Sequence, residues 1–142
     1  LGIPLKSMVS ETCVALIGDA GHTHGGAFAS GGSQAMNDTH ALALALAHIW
    51  PTEKNAKPDR PQVARALALF DGTRRPHVNK LIDLVQIGLA ARQAKLRDVR
   101  KVEETDKERR ERISGLSDIA WLAEHDVEAA FRDFAQTEFA KL

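Results

Sequence analysis

Hydrophobic and polar positions divide the 142-residue chain into one short apolar run, a glycine-rich stretch and a series of helical patterns. Cys13 to Ile17 (CVALI) is continuously apolar and contains valine and isoleucine, the mark of a buried strand. It stops at Gly18-Asp19. From Gly18 to Ser33 the chain carries six glycines (Gly18, Gly21, Gly25, Gly26, Gly31, Gly32) and no proline. Such a loop is either mobile or lets its backbone approach something closely. From Ser33 to Trp50 alanine and leucine predict a helix, which Pro51 ends. Its segment Ala41 to Ala47 is apolar all round and predicts burial on nearly every side.

Thr52 to Pro61 (TEKNAKPDRP) reads as a surface loop. A second helix is predicted from about Gln62 to Arg74. Pro76 then restarts or kinks the chain into a longer helix with Leu81, Leu84, Val85 and Leu89 on one face. Beyond Arg92 the apolar positions thin to Leu96, Val99 and Val102. Glu103 with Lys107, Asp106 with Arg110 and Glu108 with Arg112 are spaced to pair on an exposed helix. A turn at Ser114-Gly115 leads to a last amphipathic helix carrying Trp121, Leu122, Val127, Phe131 and Phe134. The fold class expected is mostly α, with one β-strand, a glycine loop and four to five helices. One strand cannot satisfy its own N–H and C=O groups. The chain is therefore expected to be the C-terminal part of a longer α/β protein whose other strands lie upstream.

Composition narrows the function. The chain has 19 basic and 19 acidic residues. Its first fifty residues, with Lys6 against Glu11, Asp19 and Asp38, lean acidic, and the remainder leans basic. Neither half is a phosphate-tracking nucleic-acid surface. The single cysteine, Cys13, excludes an internal disulfide and a cysteine-rich zinc site, and in its apolar run it reads as an inert core thiol. A hydrophobic content of 44% with 27% charged residues suits a globular protein. The longest apolar run, Ala41 to Ala47, is far too short for a membrane span.

The candidate chemistry lies between Val14 and Leu46. In α/β proteins ligands sit beyond the carboxyl ends of strands, which is where Asp19 falls. An aspartate there accepts hydrogen bonds from a ligand hydroxyl. A helix opening on Gly31-Gly32-Ser33 offers unpaired N–H groups and a positive dipole end. A flat, partly anionic ring system suits such a site. Plainer readings are a loop or N-cap aspartate at Asp19 and an ordinary serine-capped helix start. His22 and His24 have the spacing of a metal pair, but no further ligand-bearing strands follow, so no metal is expected. Structural hydrogen bonding by His22 and pocket lining by His24 are the preferred roles, with Arg74, Arg75 and His77 structural at a helix junction.

The stretch IGDAGH, then GGS-QAMND and ALALAL, resembles the second flavin-contacting motif of the FAD-dependent aromatic hydroxylases, the group A flavoprotein monooxygenases. HTHGGAF, FDGTRRPHVNKL (Phe70 to Leu81) and WLAEHDVEAAF (Trp121 to Phe131) are most similar to the fungal salicylate hydroxylase-like enzymes. The resemblance implies the C-terminal part of an α/β FAD/NAD(P)-binding monooxygenase fold. Residues 1–50 would give the closing strand, glycine loop and helix of the FAD-binding domain, and residues 51–142 a C-terminal helical region. It implies FAD as cofactor, NAD(P)H as co-substrate and a phenolic aromatic acid such as salicylate as substrate, hydroxylated with loss of carbon dioxide to give a catechol. Gly18, Asp19, Gly31, Gly32, Ser33 and Gln34 are the implied cofactor-binding residues, with Asp19 on the ribityl chain and the Gly31–Ser33 N–H groups facing the pyrimidine end of the flavin. Gly25, Gly26, Ala27 and Phe28 would wall the substrate pocket.

Two departures matter. Gly26 stands where the family commonly has proline, and Ala27 stands where bacterial salicylate enzymes have histidine, so no catalytic acid or base carries over. The family's glycine-rich dinucleotide fold and middle Asp-Gly motif have no counterpart here, so this chain by itself is expected to be inactive. The implied partners are the upstream part of the same enzyme, a small aromatic substrate and a second copy in a homodimer, with neither nucleic acid nor membrane among them. The implied location is cytoplasmic. The competing reading is a non-catalytic helical binding or interaction module that keeps the flavin motif.

Overall fold

Apolar stripes on three long helices organise the chain, seen here in a computed structural model that describes residues 5–10, 13–24, 27–50, 57–97, 105–108 and 120–139. The described residues are mostly helical, with one small two-stranded sheet. Strand β1 (Val9–Ser10) pairs antiparallel with β2 (Val14–Ala15), Val9 opposite Ala15 and Ser10 opposite Val14. The strand expected over Cys13 to Ile17 is thus shorter than predicted and finds a partner five residues upstream. Nor is it buried. Val14 is 51% and Ile17 41% exposed, because two short strands leave one edge and much of one face open. Cys13, expected in the core, is exposed, and Arg60 Nε donates to its Sγ at 3.4 Å.

Two short elements occupy what the sequence presents as open loop. Helix α1 (Asp19–His22) follows the strand end, and a 3₁₀ turn spans Ala27–Ala29. Helix α2 (Gly31–Ile49) begins slightly earlier than predicted and ends before Pro51. Only one of its faces is buried, through Gln34, Asp38, Ala41 and Ala45, while Met36 on the opposite face is 74% exposed. The expectation of burial on nearly every side does not hold. An alanine-rich helix reads as apolar all round although one stripe at i, i+4, i+7 and i+11 suffices to pack it.

Helix α3 (Arg60–Arg97) runs unbroken through Pro76, where a break or kink was expected. Proline removes one backbone hydrogen bond. Continuity is kept by a buried face on both sides of it: Phe70, Thr73 and Arg74 before, His77, Val78 and Leu81 after. The predicted last helix is two, α4 (Ala120–Ala123) and α5 (Val127–Phe139). Asp126 separates them by accepting a hydrogen bond on Oδ1 from the Ala129 N–H at 2.9 Å, an N-cap that starts α5 afresh. The charge pairs involving Glu103, Arg110 and Arg112, the apolar positions Val99 and Val102, and the Ser114-Gly115 turn lie outside the described residues.

The chain forms two compact units, residues 1–82 with 126–142, and residues 83–125. Segments 1–50 and 51–142 both contribute to the first. Its core joins Met8, Ala41, Ala45, Leu69, Phe70, Val78, Val127, Phe131 and Ala135, with α5 packed along α2. The hairpin is tied to α3 by polar contacts: Asp71 Oδ1 accepts from the Met8 N–H at 2.9 Å and is itself paired with Arg75. In the second unit Val85 and Leu122 are buried. Among the described residues no helix is long and apolar enough to cross a membrane.

The Phe134 ring packs on Gly72 so closely that a β-carbon at Gly72 would fall within it. Gly72→Ala should therefore destabilise the fold by about 1–3 kcal/mol, as overpacking does, although alanine is intrinsically the better helix former. Urea unfolding of Gly72→Ala, Phe134→Leu and the double variant checks this. The double variant should recover part of the loss, and simple additivity would contradict the contact.

Candidate functional site

Asp38 sits at the centre of a buried polar cluster. It lies on the inner face of α2, one turn after Gln34, and both are fully buried. Its Oδ2 accepts from the Gly18 N–H at 2.8 Å and pairs with His22 Nε2 at 2.6 Å. Its Oδ1 accepts from Arg74 Nε at 2.8 Å, and the same guanidinium donates through Nη2 to Gln34 Oε1 at 2.8 Å. One carboxylate thereby joins the strand-end turn, α1, α2 and α3. Burial pushes the Asp38 carboxyl up, but the hydrogen bonds from His22, Arg74 and Gly18, with the charge of Arg74, outweigh it and hold the group below its ordinary value of 3.8. Arg74 is fully buried within a helix, not at a junction, and it neutralises the charge that Asp38 takes out of water.

This cluster fixes the turn at Gly18. Gly18 has φ +57° and ψ −141°, a conformation essentially restricted to glycine, and a β-carbon there would also press on Ala35 at 3.3 Å. The turn places Asp19 at the first position of α1, exposed, and brings His22 inward. The His22 ring stacks on His24, with centroids 6.2 Å apart and planes within 5°. His24 is 3% exposed, and neither of its ring nitrogens has a hydrogen-bond partner.

Helix α2 starts beside these groups. Phe28 and Ala29 adopt left-handed backbone angles, φ 60° and 50°, just before its N-cap Ser30. Two consecutive non-glycine residues in this region cost on the order of 1 kcal/mol each. The first intrahelical bond runs from the Gln34 N–H to Ser30 O at 2.9 Å, so the N–H groups of Gly31, Gly32 and Ser33 precede the ladder. Ser30 makes no side-chain cap, and Ser33 Oγ donates instead to the Ser30 carbonyl at 2.9 Å. A β-carbon placed on Gly31 would lie 3.7 Å from Asp19 Oδ1 and 3.9 Å from His24 Cε1, and one on Gly32 would meet nothing within 4 Å.

The structure therefore brings Asp19 and Gly31 together, with Gly32 and Ser33 exposed at the same helix end. Gly18 lies behind them with its N–H engaged by Asp38. Gln34 points its side chain into the cluster, and its N–H is taken by the helix. Ala27 and Phe28 lie in the 3₁₀ turn, Phe28 half-buried, while Gly25 and Gly26 are outside the described residues. Asp38 is the central residue that the motif alone does not single out. The available signal is its register with Gln34, Ala41 and Ala45 on one helix face, and that of Arg74 with Phe70 and Val78 on another. Among the described residues no group of three or more His, Cys, Asp or Glu could hold a metal ion. No known protein family, curated protein or solved structure matches the chain.

Two outcomes follow from this geometry. Because the Asp38 carboxyl is held below 3.8, its contribution to stability is present above that pH and is lost as the pH falls through the lowered value. Acid titration of wild type and Asp38→Asn, followed by circular dichroism, should show a steeper loss below about pH 4 for wild type. Arg74→Met leaves the buried Asp38 with only the Gly18 N–H and His22 as partners and should cost about 3–5 kcal/mol in urea unfolding. A loss under about 1 kcal/mol would contradict the pairing.

Proposed function

We propose that this chain is the flavin-contacting C-terminal part of an FAD- and NAD(P)H-dependent monooxygenase that hydroxylates a phenolic aromatic acid of the salicylate class. The observation that carries the reading is the meeting of the Asp19 carboxylate with the bare amino end of α2 at Gly31, beside the open space at Gly32. A carboxylate suits the hydroxyls of a ribityl chain. The N–H groups of Gly31, Gly32 and Ser33 suit the carbonyl oxygens of a flavin pyrimidine, and the dipole of a 19-residue helix favours negative charge there by ~1–2 kcal/mol. The absent β-carbons leave room for a ring at backbone distance. These residues fit the cofactor.

FAD supplies the acceptance of hydride from NAD(P)H and the activation of oxygen. The chain's own residues have a narrower task. Asp19 holds a hydroxyl, Gly31 to Ser33 orient a ring edge, and Phe28, half-buried just before α2, lines the substrate side. The ADP half of FAD requires an upstream part of the enzyme. The exposed apolar side chains Val14 and Ile17, on and just beyond the open strand, favour such a neighbour. A cytoplasmic location accords with dependence on NAD(P)H.

Titration with riboflavin and FAD, followed by flavin fluorescence and absorption, tests the reading. Wild type should bind both through the flavin ring and ribityl chain, and FAD no more tightly than riboflavin. Asp19→Ala should weaken riboflavin binding roughly 10- to 150-fold, the equivalent of losing a hydrogen bond to a charged group. A β-carbon at Gly32 meets nothing within 4 Å and the position is exposed, so Gly32→Leu should fold normally and lose flavin. A wild-type chain that leaves the spectra unchanged, or an Asp19→Ala variant that binds as tightly, would refute it.

A further inference from the structure

His24 is a buried polar side chain with no hydrogen-bond partner among the described residues. It is 97% removed from solvent by its 3% exposure, and both Nδ1 and Nε2 lack hydrogen bonds. Leaving such a group unsatisfied is destabilising, and a leucine of similar size would not incur that cost. His22, by comparison, is engaged through Nε2 by Asp38 while its Nδ1 also lacks a partner, and the parallel stacking of the two rings holds His24 in a defined orientation. The His24 atom nearest the place of the missing Gly31 β-carbon is Cε1, at 3.9 Å, the carbon bonded to both ring nitrogens. Asp19 Oδ1 lies 3.7 Å from the same place.

We infer that His24 is a ligand-recognition residue: a group seated against the bare Cα of Gly31 hydrogen-bonds the His24 imidazole. A neutral imidazole offers one donor and one acceptor. The two ring nitrogens point apart, so one of them meets a given ligand edge, such as the imide N–H or carbonyl of a flavin or the carboxylate of a hydroxybenzoate. The Gly31 N–H and the helix dipole favour an oxygen at that edge. The inference rests on the flavin reading for its site and adds to it the residue that reads the ring edge. Gly31 is glycine, on this account, because any β-carbon would occupy the ligand's place.

The test compares wild type, His24→Leu and Gly31→Ala in thermal unfolding and in titrations with riboflavin and with salicylate. His24→Leu should raise Tm by several degrees while weakening one of the two probes about tenfold. Gly31→Ala makes only ordinary van der Waals contacts, so it should keep its Tm and weaken the same probe. Loss confined to riboflavin assigns His24 to the cofactor ring, and loss confined to salicylate assigns it to the substrate. Salicylate binding that depends on His24, without riboflavin binding, supports His24 and overturns the flavin reading. Riboflavin binding that His24→Leu leaves unchanged for both probes overturns the role of His24 alone. A wild type that binds neither probe overturns both.

Discussion

Everything at the amino end of α2 depends on one buried carboxylate. Asp38 receives hydrogen bonds from the backbone of the strand-end turn, from a histidine on α1 and from an arginine on α3. These are separated from it by 20, 16 and 36 residues, so a single side chain closes three long loops at once. Burying an ion costs several kcal/mol before pairing. Hydrophobic residues of similar volume would hold the helices together as well, without directing the turn. What Asp38 adds is direction. It fixes the left-handed Gly18, and Gly18 decides that Asp19 faces out while His22 faces in.

The outward side of the cluster carries the features that the fold itself does not use. Phe28 and Ala29 are held in left-handed conformations, His24 is buried without partners, and Gly31 and Gly32 expose helix N–H groups that no side-chain cap covers. Each is a local cost. All of them fall between His24 and Gly32, and such local costs gathered in one stretch support the proposed ligand site. The rest of the first unit is conventional by comparison: apolar stripes on α2, α3 and α5 meeting around Phe70.

The elements most legible in the sequence were those with a local cause. Alanine and leucine set α2, and Pro51 set its end. The strand run ending at Gly18-Asp19 was legible as a turn but not in its pairing, because Val9–Ser10 is too short to register as a strand. Pro76 misled for a physical reason. Proline weakens a helix locally, whereas the buried face from Phe70 to Leu81 is a tertiary effect that outweighs it. The approach of Asp19 to Gly31 was legible in part, because the strand end and the helix start flank one glycine-rich stretch. Asp38 and Arg74 were not, since a charged residue on a helix is ordinarily solvated and only the partner, 36 residues away, makes burial tolerable.

Hydrogen exchange at the Gly18 amide reports whether Asp38 holds the turn. This amide lies outside any helix or strand ladder, and its bond to Asp38 is 2.8 Å and buried. In the native chain it should exchange as slowly as the interior amides of α2, near the rate set by global unfolding. Exchange at the rate of an exposed turn amide would contradict this.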